Sequence, residues 1–408
     1  MGTTKDSGGE VAPERVRAFW AARQGLGLGF DRSSAAEVLA RTGWARSVGG
    51  CNPYLALRDR AGLSRATVDA ALARLEIQEL TAARGCTYVV PKEDYAIALR
   101  ASDGQNGDIA TAIKHLGVTP KEIDRLCDRV VVLLSKTPLD PAGIKQALGD
   151  VVRSLGPEGK KRGMTTTLPL ALGRLQTRGV IRRVPMDGRL DQQRYRYVTW
   201  TPSPLAKTDL TEEQVAIELA RRFFRWTGPA TVAQLRWWGG LGAKEAKTAV
   251  AELDLVPLLP GSDRLLFRED LDALLATPLP REPQIAFVSA LDNVLHMRRE
   301  VAPHLDEEDQ KRPLPGAKKE TVGSLADLPY HPIVDRGRII GLWDWDGVKG
   351  ELAWRTFVKK ADVERRVAKE AEALATYIDE ELGDARSFSL DDPASRAGRI
   401  KEMLATRW

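Results

Sequence analysis

"TTLPLALGRLQTRGVIRRVPMDGRLDQQRYRYVTW", residues 166–200, decides how the rest of the chain is read. Its first part sets Leu168, Ala171, Leu172 and Leu175 at i, i+3, i+4 and i+7, the buried stripe of one helix. Its second part is two strand-like runs around an Asp-Gly turn at residues 187–188, which predicts a β-hairpin. That hairpin carries Arg182, Arg183, Arg189, Arg194 and Arg196, the pair Gln192 and Gln193, and two tyrosines, Tyr195 and Tyr197. Only Asp187 and Asp191 oppose its arginines within the hairpin itself.

The helical phrase recurs. ALARL (71–75), ALGRL (171–175) and AVAEL (249–253) each follow an apolar residue three positions earlier: Val68, Leu168 and Ala246. A second short helical pattern precedes each copy, at about 53–61, 140–148 and 230–238, and a strand–turn–strand pattern follows each. In the first copy the hairpin reads EIQELTAARGCTYVV, and in the third DLVPLLPGSDRLLF. Two short helices and a hairpin form a winged helix, a helix-turn-helix variant whose second helix enters a groove of DNA. Three copies of one phrase predict a tandem array.

A longer amphipathic helix leads into each unit. The first opens on Pro13 and Glu14, aligns Val16, Phe19 and Trp20, and stops at Gly25. The second and third open on capping boxes, Thr119 with Glu122 and Thr211 with Gln214. Residues 101–108 read as a linker and residues 1–10 as a disordered polar lead-in. Past residue 280 the period changes. HPIVDRGRIIGLWDWDGVKGELAWRTFV predicts an antiparallel meander, 304–320 an exposed loop, and Val363, Val367, Ala371, Leu374, Ile378 and Leu382 a covering helix. The expected architecture is α+β and mainly helical. Winged-helix units span 11–100, 109–202 and 209–279, a small β-domain spans 283–382, and a packed or disordered tail spans 383–408.

The whole chain of 408 residues has a net charge of only +5, but the charge is concentrated. Residues 151–200 hold eleven Lys and Arg against Glu158, Asp187 and Asp191, an excess of eight, so the remainder is net negative. Such localisation is the footprint of a phosphate-contacting module and argues against a purely protein-binding scaffold. Three cysteines (51, 86, 127) and four histidines are scattered without metal-ligand spacing, so no metal or cofactor is expected. Cys127 falls on an apolar helix face, as a structural thiol would. Sparse cysteines fit a reducing cytoplasm, and no apolar run is long enough to span a membrane. Double-stranded DNA is the expected partner.

Within the basic unit, Thr165, Thr166 and Thr167 lie at a helix start suited to phosphate oxygens, and Arg174 and Arg178 follow on its polar side. The hairpin arginines add phosphate contacts, and Gln192 and Gln193 could read adenine edges or position the backbone. Tyr195 and Tyr197 share a strand face, which suits burial beneath the hairpin. Trp237 and Trp238, at the end of a short helix, suit a core. In the first unit RTGWARSVGGCNPY (41–54) either shapes a pocket for an extruded nucleotide or simply connects helices. Its Arg46 and Ser47 are further DNA-contact candidates.

The phrases RQGL (23–26), NPYLALRDRAGLS (52–64), ARGCTYVVPKEDY (83–95), ALDNVLHMRRE (290–300) and VDRGRIIGLWDWD (334–346) resemble, in order and spacing, the bacterial winged-helix DNA glycosylases of the AlkZ and YcaQ type. The resemblance covers most of the chain. It implies tandem winged helices with a small β-domain gripping duplex DNA, intact or damaged, and hydrolysis of the N-glycosidic bond of alkylated purines, including some crosslinks. An alkylated purine is already a cationic leaving group, so the enzyme chiefly stabilises an oxocarbenium-like sugar and positions water. The family's signature of Gln, an apolar residue, then Gln or Asp falls here on Thr42, Gly43 and Trp44, and neither Thr nor Trp replaces a carboxylate. Asn52 and Asp292 are the substitute candidates. The departure leaves two readings: a repair or self-resistance glycosylase with a variant site, or a non-catalytic DNA-binding protein such as a transcription regulator or lesion-recognition factor.

Overall fold

The structure, a computed structural model, describes residues 11–408 except Leu28 and residues 104–106. The expected lead-in lies outside the described residues, as do three residues of the expected linker. The fold is mixed α/β, with helices and antiparallel sheets.

After helix α1 (Pro13–Arg23), one order of elements occurs three times. The first unit is α2 (Ala35–Thr42), β1 (Ala45–Arg46), α3 (Asn52–Ala61), α4 (Arg65–Ala73) and the hairpin β2 (Ile77–Thr81) with β3 (Thr87–Pro91). Two connecting helices follow, α5 (Tyr95–Asp103) and α6 (Gly107–His115). The second unit is α7 (Pro120–Leu134), α8 (Pro141–Leu148), an inserted α9 (Gly156–Lys161), α10 (Leu168–Thr177) and the hairpin β4 (Ile181–Pro185) with β5 (Tyr195–Thr199). Here an isolated bridge from Leu139 to Tyr197 stands where the other units have a short strand. The third unit is α11 (Glu212–Thr227), β6 (Ala230–Thr231), α12 (Val232–Gly239), α13 (Ala243–Ala251), β7 (Leu255–Pro257) and β8 (Arg264–Phe267). In the first and third units the leading short strand pairs antiparallel with the last strand.

The chain closes with α14 (Arg268–Ala276), β9 (Ile285–Phe287), α15 (Asn293–His296), α16 (Glu307–Gln310), β10 (His331–Asp335), β11 (Arg338–Asp346), β12 (Glu351–Thr356), α17 (Ala361–Tyr377) and α18 (Pro393–Ala405). The expected meander is present and gains β9 as a fourth strand, in the order β12-β11-β10-β9. Helix α17 covers it through Val363, Val367, Ala371 and Leu374. The stretch 304–320 is less open than expected. Asp309 is buried between Arg312 and Arg338, and Leu314 joins the core. The C-terminal tail is packed, with Arg396, Ile400 and Met403 of α18 buried.

Helix α1 does not lead into the first unit. Its Val16, Phe19 and Trp20 pack with Leu266 and Leu274 of the third unit and α14. The helix that occupies the leading place is α2, which opens on a capping box of Ser34 with Glu37. Sequence adjacency favoured α1, but its apolar face matches a surface 250 residues away.

Core composition sets the layout. Val38, Tyr54, Leu57, Val68 and Ile77 of the first unit share one core with Phe287, Trp343 and α17. On the other face of the same hairpin, Leu80, Tyr88 and Val90 share a core with Phe223, Trp226 and Trp238 of the third unit. The first unit is therefore sandwiched, and all ten residues of its hairpin strands β2 and β3 except Thr81 and Thr87 are buried. The second unit has a separate core made from residues 109–197 alone, including Cys127 as the expected apolar-face thiol.

Candidate nucleic-acid interface

The eleven basic residues of 151–200 do not form one solvated face. Acids from elsewhere reach several of them: Glu122 takes Arg153 at 2.7 Å, Asp124 takes Arg174 at 2.5 Å, and Glu79 lies 3.8 Å from Arg183. Lys161 pairs with Glu158, and Arg189 with Asp191. Arg182 is half-buried, and burial lowers its pKa. What remains is a set of exposed cations with no ion pair among the described residues: Lys160, Arg162, Arg178, Arg194 and Arg196. Thr165 is exposed and Thr166 half-buried. Thr167 is fully buried, and its hydroxyl has no hydrogen-bond partner.

The β4–β5 hairpin divides into two parts. One docks on the first unit. Gln78 Nε2 donates to the Arg183 carbonyl (3.0 Å), and the turn drives Leu190, 0 % exposed, into the first unit's core. The Leu190 amide donates to Tyr54 Oη (2.9 Å), and Arg189 Nη2 donates to the Leu382 carbonyl (2.7 Å). Tyr195 rests over Arg183, and Tyr197 is buried in the second unit's core, as its strand face required. The other part, Gln193, Arg194 and Arg196, is exposed. Arg183 and Arg189 therefore fasten units together, and Arg194 and Arg196 face solvent.

The segment 47–52 is where three parts of the chain meet. A Cβ on Gly49, which has a φ of +73°, would lie 2.4 Å from Gln193 Cγ, and one on Gly50 would lie 2.2 Å from the Ser387 carbonyl oxygen. The glycines let the second hairpin and the C-terminal loop lie directly on the first unit. Arg386 stitches the three together, with Nε donating to the Gly49 carbonyl (2.9 Å) and Nη2 to the Asp191 carbonyl (2.6 Å). Arg46 stacks at 5.4 Å over Tyr88 and donates to the Thr87 carbonyl.

At the signature position both side chains are committed to the interior. Thr42 Oγ1 donates to the Val38 carbonyl (2.9 Å), and Thr42 is 2 % exposed. Trp44 Nε1 donates to Asp94 Oδ2 (2.8 Å), a carboxylate also held by Arg222, and the ring packs among Tyr88, Trp226 and Trp238. Trp238 is thus the core residue its position suggested. Trp237 is half-buried instead, with Arg84 and Arg299 stacked on it.

Asn52 and Asp292 are not brought together. Asn52 donates to the Arg46 carbonyl (2.8 Å). Asp292, 1 % exposed, accepts two 2.8 Å bonds from Arg60 and caps α15 through the Val294 amide. Arg60 also donates to Gln24 Oε1, and Gln24 Nε2 donates to the carbonyls of Thr42 and Trp226. Asp292 is therefore the anchor of a buried joint.

Among the buried carboxylates that sequence reading passed over is Glu79. It is 3 % exposed and accepts a 2.6 Å hydrogen bond from Ser47 Oγ, and its other oxygen has no hydrogen-bond partner. The available signal was a polar pair, Gln78 and Glu79, between the apolar Ile77 and Leu80 of strand β2. Among the described residues no three His, Cys, Asp or Glu side chains could hold a metal ion, and no helix is long and apolar enough to cross a membrane.

These features define a mixed α/β chain in which distant segments meet at buried joints and five cations of residues 151–200 stand exposed without an ion pair among the described residues. Its fold is similar to that of the Streptomyces sahachiroi DNA glycosylase AlkZ: TM-score 0.69 and 19% identity, over 93% of this chain and 99% of that one. Residues 49–377 match the model of the family described as DNA glycosylase AlkZ-like, and the chain belongs to that family. No curated protein matches it.

Proposed function

We propose that this protein grips duplex DNA through three winged-helix units and acts on alkylated bases as a glycosylase, in DNA repair or self-resistance. The DNA reading is carried by five exposed cations within residues 151–200 that have no ion pair among the described residues, set on a helix–helix–hairpin order that recurs three times. Lys160, Arg162, Arg178, Arg194 and Arg196 contact phosphates in this reading, and Gln193 is the exposed candidate for a base edge. The second unit, 109–202, is the main grip, with 209–279 and 283–382 completing the scaffold around the first unit.

A second reading, a non-catalytic DNA-binding protein, is favoured by one observation: Thr42 and Trp44 are sealed in the interior. Incubation with duplexes carrying alkylated purines, then heating in base, separates the two. Strand breaks above the heat-only control support the glycosylase. Their absence for every lesion, with binding intact, establishes the second reading. Five phosphate contacts give a slope of log K against log[salt] of about −4 to −5, and a slope near zero would sink both.

A further inference from the structure

The loop joining α17 to α18 combines a buried polar base with an exposed apolar tip. At its base, Asp391 is 3 % exposed and accepts from Arg399 at 2.7 and 3.2 Å and from the Ser387 amide at 3.0 Å. Arg399 also pairs with buried Asp344, and Ser387 Oγ lies 3.1 Å from His331 Nε2. The Asp391 amide donates to the Phe388 carbonyl (3.0 Å), closing a tight turn. At its tip Phe388 is 43 % and Leu390 83 % exposed, with only Ser389 between them. Two large apolar side chains are thus held in water, close together, by a hydrogen-bonded base.

The position of the tip selects its occupant. The Ser389 amide donates to the Val48 carbonyl (3.0 Å), and the Cys51 amide donates to the Arg386 carbonyl (2.9 Å). Arg386 in turn holds the Asp191 carbonyl of the second hairpin. The apolar tip thus sits at the three-way joint, beside the exposed Gln193 and the unpaired Arg194. An apolar pair set beside the hairpin that carries the unpaired Arg194 matches the chemistry of a wedge inserted between base pairs. We propose that Phe388 and Leu390 form such a wedge: they enter the stack of duplex DNA and unstack a base step while the second unit holds the backbone. This rests on the DNA-binding reading and adds to it a positioning element that extrudes or kinks the target.

The test uses the full chain and a duplex with 2-aminopurine beside an alkylated base or an abasic-site analogue. The wild type raises 2-aminopurine fluorescence on binding. The double variant Phe388→Ala, Leu390→Ala loses that rise and about tenfold in affinity, the scale of one base–aromatic stack, with an unchanged Tm. Phe388→Trp restores the fluorescence response in the Leu390→Ala background. A response undiminished in the double variant overturns the wedge and leaves the DNA reading standing. Wild-type protein that binds no duplex overturns both. A wild-type dimer that becomes monomeric in the double variant shows the tip to be a self-association face, and also overturns the wedge.

Discussion

The first and second hairpins hold the same place in their units and have opposite surroundings. In β2–β3 the side chains of one strand face find the sheet domain's core and those of the other face find the third unit. In β4–β5 one part is buried by the first unit, and the other is left to solvent with Arg194 and Arg196. Equivalent local sequence patterns therefore predict an element and its connectivity, and the neighbours decide whether it can touch a ligand. The first hairpin serves as a keel, and the second as a lever whose tip is fixed and whose flank is free.

The comparison breaks most visibly at the joint that holds the keel. Asp292→Ala leaves the Arg60 guanidinium, 1 % exposed, without its carboxylate, and should cost about 3–5 kcal/mol. Chemical denaturation measures this. A variant of wild-type stability would return Asp292 to candidacy for chemistry. On the free flank, the triple variant Arg178→Ala, Arg194→Ala, Arg196→Ala should flatten the salt slope of DNA binding by about 3 and leave Tm within error. An unaltered slope would move the grip elsewhere. Arg183→Ala, on the docked part of the same hairpin, should do the reverse and lower Tm while the slope stays constant.

A pH effect sharpens the keel side. Burial pushes the Asp59 carboxyl up to about 7, against the pull of Arg58 and Arg60. A carboxyl whose folded pKa lies above its ordinary value of 3.8 stabilises the fold at low pH, and that contribution is lost as pH rises from about 4 through 7. Asp59→Asn should therefore gain in stability relative to wild type across that window. Parallel pH–stability curves for the two proteins would remove the claim. The smallest effect belongs to Thr42→Ala, which forfeits one hydrogen bond, about 1 kcal/mol. It should not alter any strand-break activity. An activity lost at full stability would make Thr42 part of the chemistry despite its burial.

Much of the architecture was legible in the chain. The i, i+3, i+4, i+7 stripes at Val68, Leu168 and Ala246 located three helices, the alternating runs located the hairpins and the meander, and Thr119 and Thr211 marked helix starts. These are local properties of backbone hydrogen bonding and side-chain period, so a short window of sequence contains them. The candidate site was far less legible. Arginine content alone could not tell Arg174 and Arg183, which meet Asp124 and Glu79 from 50 and 104 residues away, from Arg178 and Arg196, which meet no acid among the described residues. The phrases that mark the family, from Gln24 through Arg60 to Asp292, proved to be parts of one buried network, which no spacing rule announces.

The sequence by itself determined the repeated elements, the family and the concentration of positive charge, because periodicity and composition are written in consecutive residues. Only the tertiary structure decided which charges are spent on ion pairs, that the Gly49–Gly50 segment is a seat for two other segments, and that Phe388 and Leu390 stand exposed beside it. Each of these depends on which distant groups are brought within a few ångströms, and a linear sequence leaves that distance unspecified.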